Sequence, residues 1–151
     1  MSFASKFLAS TFFRKLKVVL DEGAFAPEHA HDVDAGYDLR STSSVKIPPN
    51  GSAVINVGVH MEIPRGWYGN IQSKSGLNVN HDIITTGTID SGYTGAIRVK
   101  LYNHGSEPYT VLHGNKIAQI VFMRCARPKI SIVDKLDETE RGDNGFGSTG
   151  R

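Results

Sequence analysis

The stretch Ala53-Val54-Ile55-Asn56-Val57-Gly58-Val59-His60-Met61-Glu62-Ile63 decides the fold class, because Ala53, Ile55, Val57, Val59, Met61 and Ile63 place an apolar side chain at every second position. A period of two is the alternation of side chains across a β-strand and does not match the 3.6-residue turn of a helix. The same alternation recurs at Leu16, Val18 and Leu20, at Ile97, Val99 and Leu101, and at Ile130 and Ile132. Turn formers separate these runs at Pro48-Pro49-Asn50-Gly51, Pro64-Arg65-Gly66, Asn103-His104-Gly105 and His113-Gly114-Asn115. Many short strands joined in this way predict an all-β domain built as a sandwich, jelly roll or barrel. Helical periodicity is scarce, and one short helix is predicted over Ser75 to His81 with Ser75 as its N-cap.

At 151 residues the chain suits one domain with a sizeable core. Its 17 basic and 15 acidic residues leave a net charge of +2, far short of the excess expected of a general polyanion binder, so direct nucleic-acid binding is not expected. The single cysteine, Cys125, cannot form an internal disulfide; it reads as core filler and fits a reducing compartment. No run of 18 apolar residues marks a membrane span. Residues 1–14 read as an N-terminal arm, residues 15–136 as the β domain and residues 137–151 as a flexible tail. The arm and the residues just after it carry Lys6, Arg14, Lys15 and Lys17 with several hydroxyls and no acid until Asp21. A cytoplasmic protein is expected, or a mitochondrial or nuclear one if the arm is a targeting segment.

Five clusters depart from ordinary strand filler. Ala35-Gly36-Tyr37-Asp38-Leu39 comes first, then Ser73-Lys74-Ser75-Gly76-Leu77, where a cation and hydroxyls precede the helix whose backbone N–H groups can meet a phosphate. Gly87-Thr88-Ile89-Asp90-Ser91-Gly92-Tyr93-Thr94-Gly95 reads as a glycine-bounded hairpin presenting one carboxylate and one phenol. Gly114-Asn115-Lys116-Ile117-Ala118-Gln119 leads into a strand. The last eleven residues, from Arg141 to Arg151, gather four glycines, Ser148, Thr149, Phe146 and two guanidinium groups, a composition suited to wrapping an anionic ligand with an aromatic lid. Each cluster alone is also an everyday turn, or in the last case a plain flexible tail. The pair His29 and His31 beside Asp32 and Asp34 has metal-ligand residue types, but nothing else in the sequence supports a metal centre there.

Taken together and in order, the pieces A-G-x-D-L, S-G-L, G-x-I-D-x-x-Y-x-G, G-x-x-I-A-Q and R-G-x-x-G-F-G-S-T-G resemble the five motifs of the trimeric dUTP pyrophosphatases, over nearly the whole chain from Leu16 to Gly150. The resemblance implies a jelly-roll-like (β-clip) domain in a homotrimer, each active site assembled from all three chains and closed by an exchanged C-terminal tail. It implies that Asp90 is the catalytic base, activating water for attack on the α-phosphorus of dUTP and releasing dUMP and diphosphate. Such a reaction limits uracil in DNA and supplies dUMP for dTTP synthesis. Gly87, Thr88, Ile89, Tyr93, Arg98 and Phe146 would bind uracil and deoxyribose, with Tyr93 leaving no room for a 2′-hydroxyl. Lys74, Ser75, Gly76, Gln119, Arg141, Gly147, Ser148 and Thr149 would hold the phosphates. Mg²⁺ is implied as cofactor, carried mainly by the phosphates and water, with Asp38 as an outer-shell carboxylate.

Two departures from the family pattern stand out. Lys74 occupies a position that is usually arginine, and a lysine supplies a point charge without the bidentate fork. Asp143-Asn144 replaces a small residue and glycine, adding negative charge near the expected triphosphate. Two other readings remain open at the level of sequence. One is a dCTP deaminase of the same superfamily; the other is a regulatory protein whose dUTP-ordered tail controls an unidentified partner.

Overall fold

The computed structural model describes residues 15–145; Phe146, Gly147, Ser148 and Thr149, and the expected arm over residues 1–14, lie outside them. Eleven strands and one helix follow in order: β1 (Lys17–Leu20), β2 (Tyr37–Arg40), β3 (Val45–Ile47), β4 (Ser52–Asn56), β5 (Val59–Glu62), β6 (Trp67–Gln72), α1 (Ser75–His81), β7 (Ile83–Ile84), β8 (Thr86–Asp90), β9 (Arg98–Asn103), β10 (Tyr109–Val111) and β11 (Lys116–Arg124). The all-β class read from the alternation is the class observed. Every ladder is antiparallel: a four-stranded sheet in the order β2-β11-β6-β8, a three-stranded sheet β4-β9-β7, and the pairs β1-β5 and β10-β3.

The deciding stretch forms two strands rather than one. Ile55, Val57, Val59, Met61 and Ile63 are all buried, as the alternation requires. At Gly58 the backbone turns through φ +64°, with its N–H donating to Asn56 Oδ1 at 2.9 Å. A Cβ there would meet Ala24 Cβ at 2.7 Å, so glycine is needed for both conformation and space. The chain thereby passes from the sheet of β4 to the pair β1-β5 without losing its inward face. Side chains from β2 to β7 and from β9 to β11, among them Leu39, Ile47, Ile71, Ile83, Leu101 and Ile120, close one core.

Three local expectations differ in detail. Helix α1 spans the expected residues, but Lys74 is its N-cap and Ser75 its first helical residue, without a side-chain cap. The alternation at Ile130 and Ile132 forms no strand; both are almost fully exposed in a segment, residues 125–145, that has neither helix nor strand. Alternation makes a strand possible, but a neighbouring edge makes it stable, and among the described residues no strand pairs with that segment. Cys125 is half-buried rather than in the core, its N–H tied to the Gly66 carbonyl at 2.8 Å.

Candidate active site

Strand β2 carries Asp38 into a cationic cradle. Its carboxylate is buried, with Lys74 bonded to Oδ1 and Lys116 Nζ 2.7 Å from Oδ2. The Lys116 contact is an ion pair without good hydrogen-bond alignment, so Oδ2 has no well-formed hydrogen bond. Burial alone would push the Asp38 carboxyl up, but the ammonium groups of Lys116 and Lys74 outweigh it and hold the group below the ordinary carboxylate range. Glu28 supports the cradle from outside: its carbonyl accepts the Asp38 N–H at 2.8 Å and its carboxylate accepts from Arg40 at 2.6 Å. The Arg40 hydrogen bond and charge lower the Glu28 pKa as well.

Gln119 stands beside Asp38 across the β2-β11 ladder and beside Gln72 across the β11-β6 ladder, and its amide donates to the Ser73 carbonyl at 3.3 Å. A Cβ on Gly36 would lie 2.5 Å from Gln119 Oε1, so this glycine makes room for the glutamine. Ser73 locks the approach to α1 onto the start of β8, donating to the Thr85 carbonyl at 3.0 Å and accepting the Thr85 N–H at 2.8 Å. Asp38, Lys74 and Gln119 are thus one group, with Ser75 and Gly76 opening the helix next to Lys74.

Asp90 ends β8 in a second group. Thr88, Ile89, Asp90, Tyr93 and Arg98 line one open cleft of about 210 Å³. The Tyr93 N–H donates to the Asp90 carbonyl at 3.0 Å and its phenol donates to the Ala96 carbonyl at 2.9 Å, folding the ring back over its own turn. Gly95 lies beneath that ring; a Cβ there would come within 2.6 Å of the Tyr93 hydroxyl. The expected hairpin is corrected in one respect, because β8 is hydrogen-bonded to β6 while β9 is hydrogen-bonded to β4 and β7. Its two arms belong to different sheets, and the turn between them crosses from one sheet to the other.

The register separates the two groups. Gln119 is paired with both Asp38 and Gln72, and Gln72 with Thr86, whereas Asp90 is paired with Tyr68, four residues along β6. Four residues are roughly 13 Å of strand, and β2 lies three strand spacings, roughly 14 Å, from β8. One chain therefore does not bring Asp90 and the Asp38 cradle to a single phosphorus atom. Arg141 joins neither group; its guanidinium donates to the Asn144 carbonyl at 3.0 Å within its own exposed turn.

The comparisons with known proteins bear on the same residues. The family model described as dUTPase matches residues 23–150, which include all five motif pieces, the last ending at Gly150. The chain belongs to the dUTPase family. Among dUTPase relatives, the deoxyuridine 5′-triphosphate nucleotidohydrolase of Crocosphaera subtropica is 43% identical over 140 residues, covering 90% of this chain and 99% of its own. That of Arabidopsis thaliana is 41% identical, covering 93% and 84%. A solved dUTPase from Staphylococcus bacteriophage 80alpha, a variant bound to dUpNHpp, superposes with a TM-score of 0.86 at 29% identity, over 92% of this chain and all of the other. The fold is therefore the jelly-roll-like β-clip of the dUTPases.

Within this dUTPase-family chain, sequence reasoning missed the roles of Glu28, His60 and Arg127. Arg127 donates to Ser91 Oγ at 2.8 Å, beside Asp90, from a segment with no motif of its own. His60 reaches the Thr94 carbonyl at 2.9 Å and Asp21 Oδ1 at 3.0 Å. Neither contact has a local sequence signal, because the partners are 34 or more residues away. Of the paired histidines, His29 meets the Gly36 carbonyl at 3.0 Å and packs on Tyr37.

Proposed function

We propose that the chain is a dUTP diphosphatase, hydrolysing dUTP to dUMP and diphosphate as a homotrimer. The observation that carries the reading is the open cleft lined together by Asp90, Tyr93, Thr88, Ile89 and Arg98, which sets one carboxylate beside one aromatic ring and one guanidinium group. Asp90 accepts a proton from the water that attacks the α-phosphorus, a role worth about 10² to 10⁴ in rate. Tyr93 packs against deoxyribose and leaves no space for a ribo-hydroxyl, and the backbone from Gly87 to Arg98 pairs with the uracil edge. Lys74, Ser75, Gly76 and Gln119 hold the phosphates, and Arg141, Phe146, Gly147, Ser148 and Thr149 close over the nucleotide from the tail. The two groups lie far apart in one chain, and a site completed by neighbouring copies would bring them together; that separation supports the trimer.

The donor set fits Mg²⁺ held by the substrate's own phosphates. Among the described residues no three His, Cys, Asp or Glu side chains converge into a cage, and Asp38, with an ammonium group at each oxygen, suits an outer position through water. When bound, the ion neutralises charge on the triphosphate. A solved dUTPase from phage phi11 of S. aureus, 29% identical with a TM-score of 0.76, is described with a structural Mg(II) ion. Among the described residues no helix is long and apolar enough to cross a membrane.

Diphosphate release from dUTP, dCTP, dTTP and UTP, with and without Mg²⁺, tests the proposal. Hydrolysis confined to dUTP and dependent on Mg²⁺ is expected, and Asp90→Asn should lower kcat by about 10² to 10⁴ while dUTP binding survives. Near-normal turnover by Asp90→Asn would remove Asp90 as the base.

A further inference from the structure

We propose that His60 is a positioning residue for the Tyr93 turn, its two ring nitrogens clamping the Thr94 carbonyl to the Asp21 carboxylate and so fixing the wall of the cleft that meets the sugar. Nδ1 lies 2.9 Å from the Thr94 carbonyl and Nε2 lies 3.0 Å from Asp21 Oδ1. Asp21 is itself well placed, with its N–H bonded to the Gly58 carbonyl at 2.8 Å and its carbonyl accepting from Ala24 at 3.1 Å. The bonds from Tyr93 to Asp90 and Ala96 are internal to the turn, so they set its shape and not its position. Arg127 reaches its start at Ser91, and Ile97, just past it, is tied to Val57 and Val59. His60 anchors the middle, at the residue following Tyr93.

The chemistry of the clamp makes it responsive to protonation. A carbonyl and a carboxylate are both acceptors, so both nitrogens must carry a proton for both bonds to form, and only the imidazolium ion satisfies them. The Thr94 carbonyl first, and then Asp21, raises the His60 pKa above its ordinary value, against a smaller opposing effect of desolvation. The other charged groups lining the cleft beside His60 are Lys17 of β1 and Glu62 of β5, which pair with each other at 2.9 Å. Because the folded value is raised, the clamp is complete below about pH 6.5, the unfolded value, and is lost as pH rises through the folded value. The consequence for substrate rests on the hydrolase reading of the cleft, whereas the clamp itself does not.

An NMR titration of the full chain from about pH 5.5 to 9 reads the clamp directly. The amides of residues 93–96 should shift with the midpoint of the His60 ring, and His60→Gln should abolish that step. Amides that ignore the His60 midpoint, or that keep the step in His60→Gln, would overturn the proposal. In turnover, KM for dUTP in His60→Gln should rise about fivefold near pH 6, the factor expected for one lost hydrogen bond, and converge on wild type above the His60 midpoint. Discrimination of dUTP against UTP should fall over the same range. A KM difference that persists at high pH would mean that His60 acts by packing alone and would also overturn the proposal. A chain that formed the clamp but did not hydrolyse dUTP would fail the hydrolase reading while leaving the amide titration decisive. If His60→Gln does not fold, Asp21→Asn provides a second variant; it should lower the His60 midpoint, and an unchanged midpoint would count against the clamp.

Discussion

Asp38 shows how one residue reconciles burial with charge. A carboxylate taken out of water is costly unless it is paired, and here two ammonium groups meet it while their own side chains keep about 30% of their surface in solvent. Asp38→Asn should therefore destabilise the fold by about 1–3 kcal/mol at neutral pH, less than for a fully buried pair because the lysines can turn to water. The pH dependence has a definite sign. Because the folded pKa is lowered, the stabilisation is complete above about pH 3.9 and disappears as pH falls through the folded value, so the two proteins should converge only in stronger acid. Chemical denaturation of both at a series of pH values measures this, and a difference that grew toward acid would contradict the pairing. Lys74 also acquires a reason here, since a point charge suffices to meet Asp38, although the cluster alone did not reveal that partner.

At the scale of elements, β11 organises the site because it lies between β2 and β6 and presents Gln119 to both. Its close approach to β6 depends on Gly69, where an added Cβ would come 2.5 Å from Ile120 Cδ1 and 3.3 Å from Ile63 Cδ1. Both isoleucines are buried, so making room for the new methyl displaces packed neighbours, and Gly69→Ala should cost about 1–3 kcal/mol through overpacking. Ile120→Val removes the colliding methyl, and the double variant should lose less stability than the sum of the two single changes. Urea unfolding of the four proteins closes the cycle; simple additivity would place the strain elsewhere. Asn103 performs a comparable service at the other sheet, donating to the carbonyls of Ile47 and Glu107 and accepting from the Gly105 N–H. Its sequence context reads only as a turn, yet it joins β9 to β3 and to the approach to β10.

At the scale of the whole molecule, the separation of Asp90 from the Asp38 cradle has a consequence for activity. If copies of the chain share each site, Asp90→Asn and Lys74→Ala, each inactive alone, should complement when mixed and reassembled. Random association leaves about a quarter of the sites with both halves intact, and that fraction of wild-type activity should return. No recovery in exchanged mixtures would mean that each chain works alone. The exposed strand β1 and the exposed Ile130 and Ile132 are features of this isolated chain, and an apolar alternation without a local partner is the pattern that sequence reading turns into a strand. The amino-acid sequence by itself determined the β class, the inward faces and the five clusters, because period-two alternation and turn chemistry act between near neighbours. It also contained the family resemblance, since the clusters keep their order and internal spacing. Only the tertiary structure decided that the deciding stretch divides between two sheets at Gly58, that Asp38 is held by Lys74 and Lys116, and that His60 spans Asp21 and Thr94. Those contacts join residues up to 78 positions apart, and no local propensity encodes which distant backbone a side chain will meet.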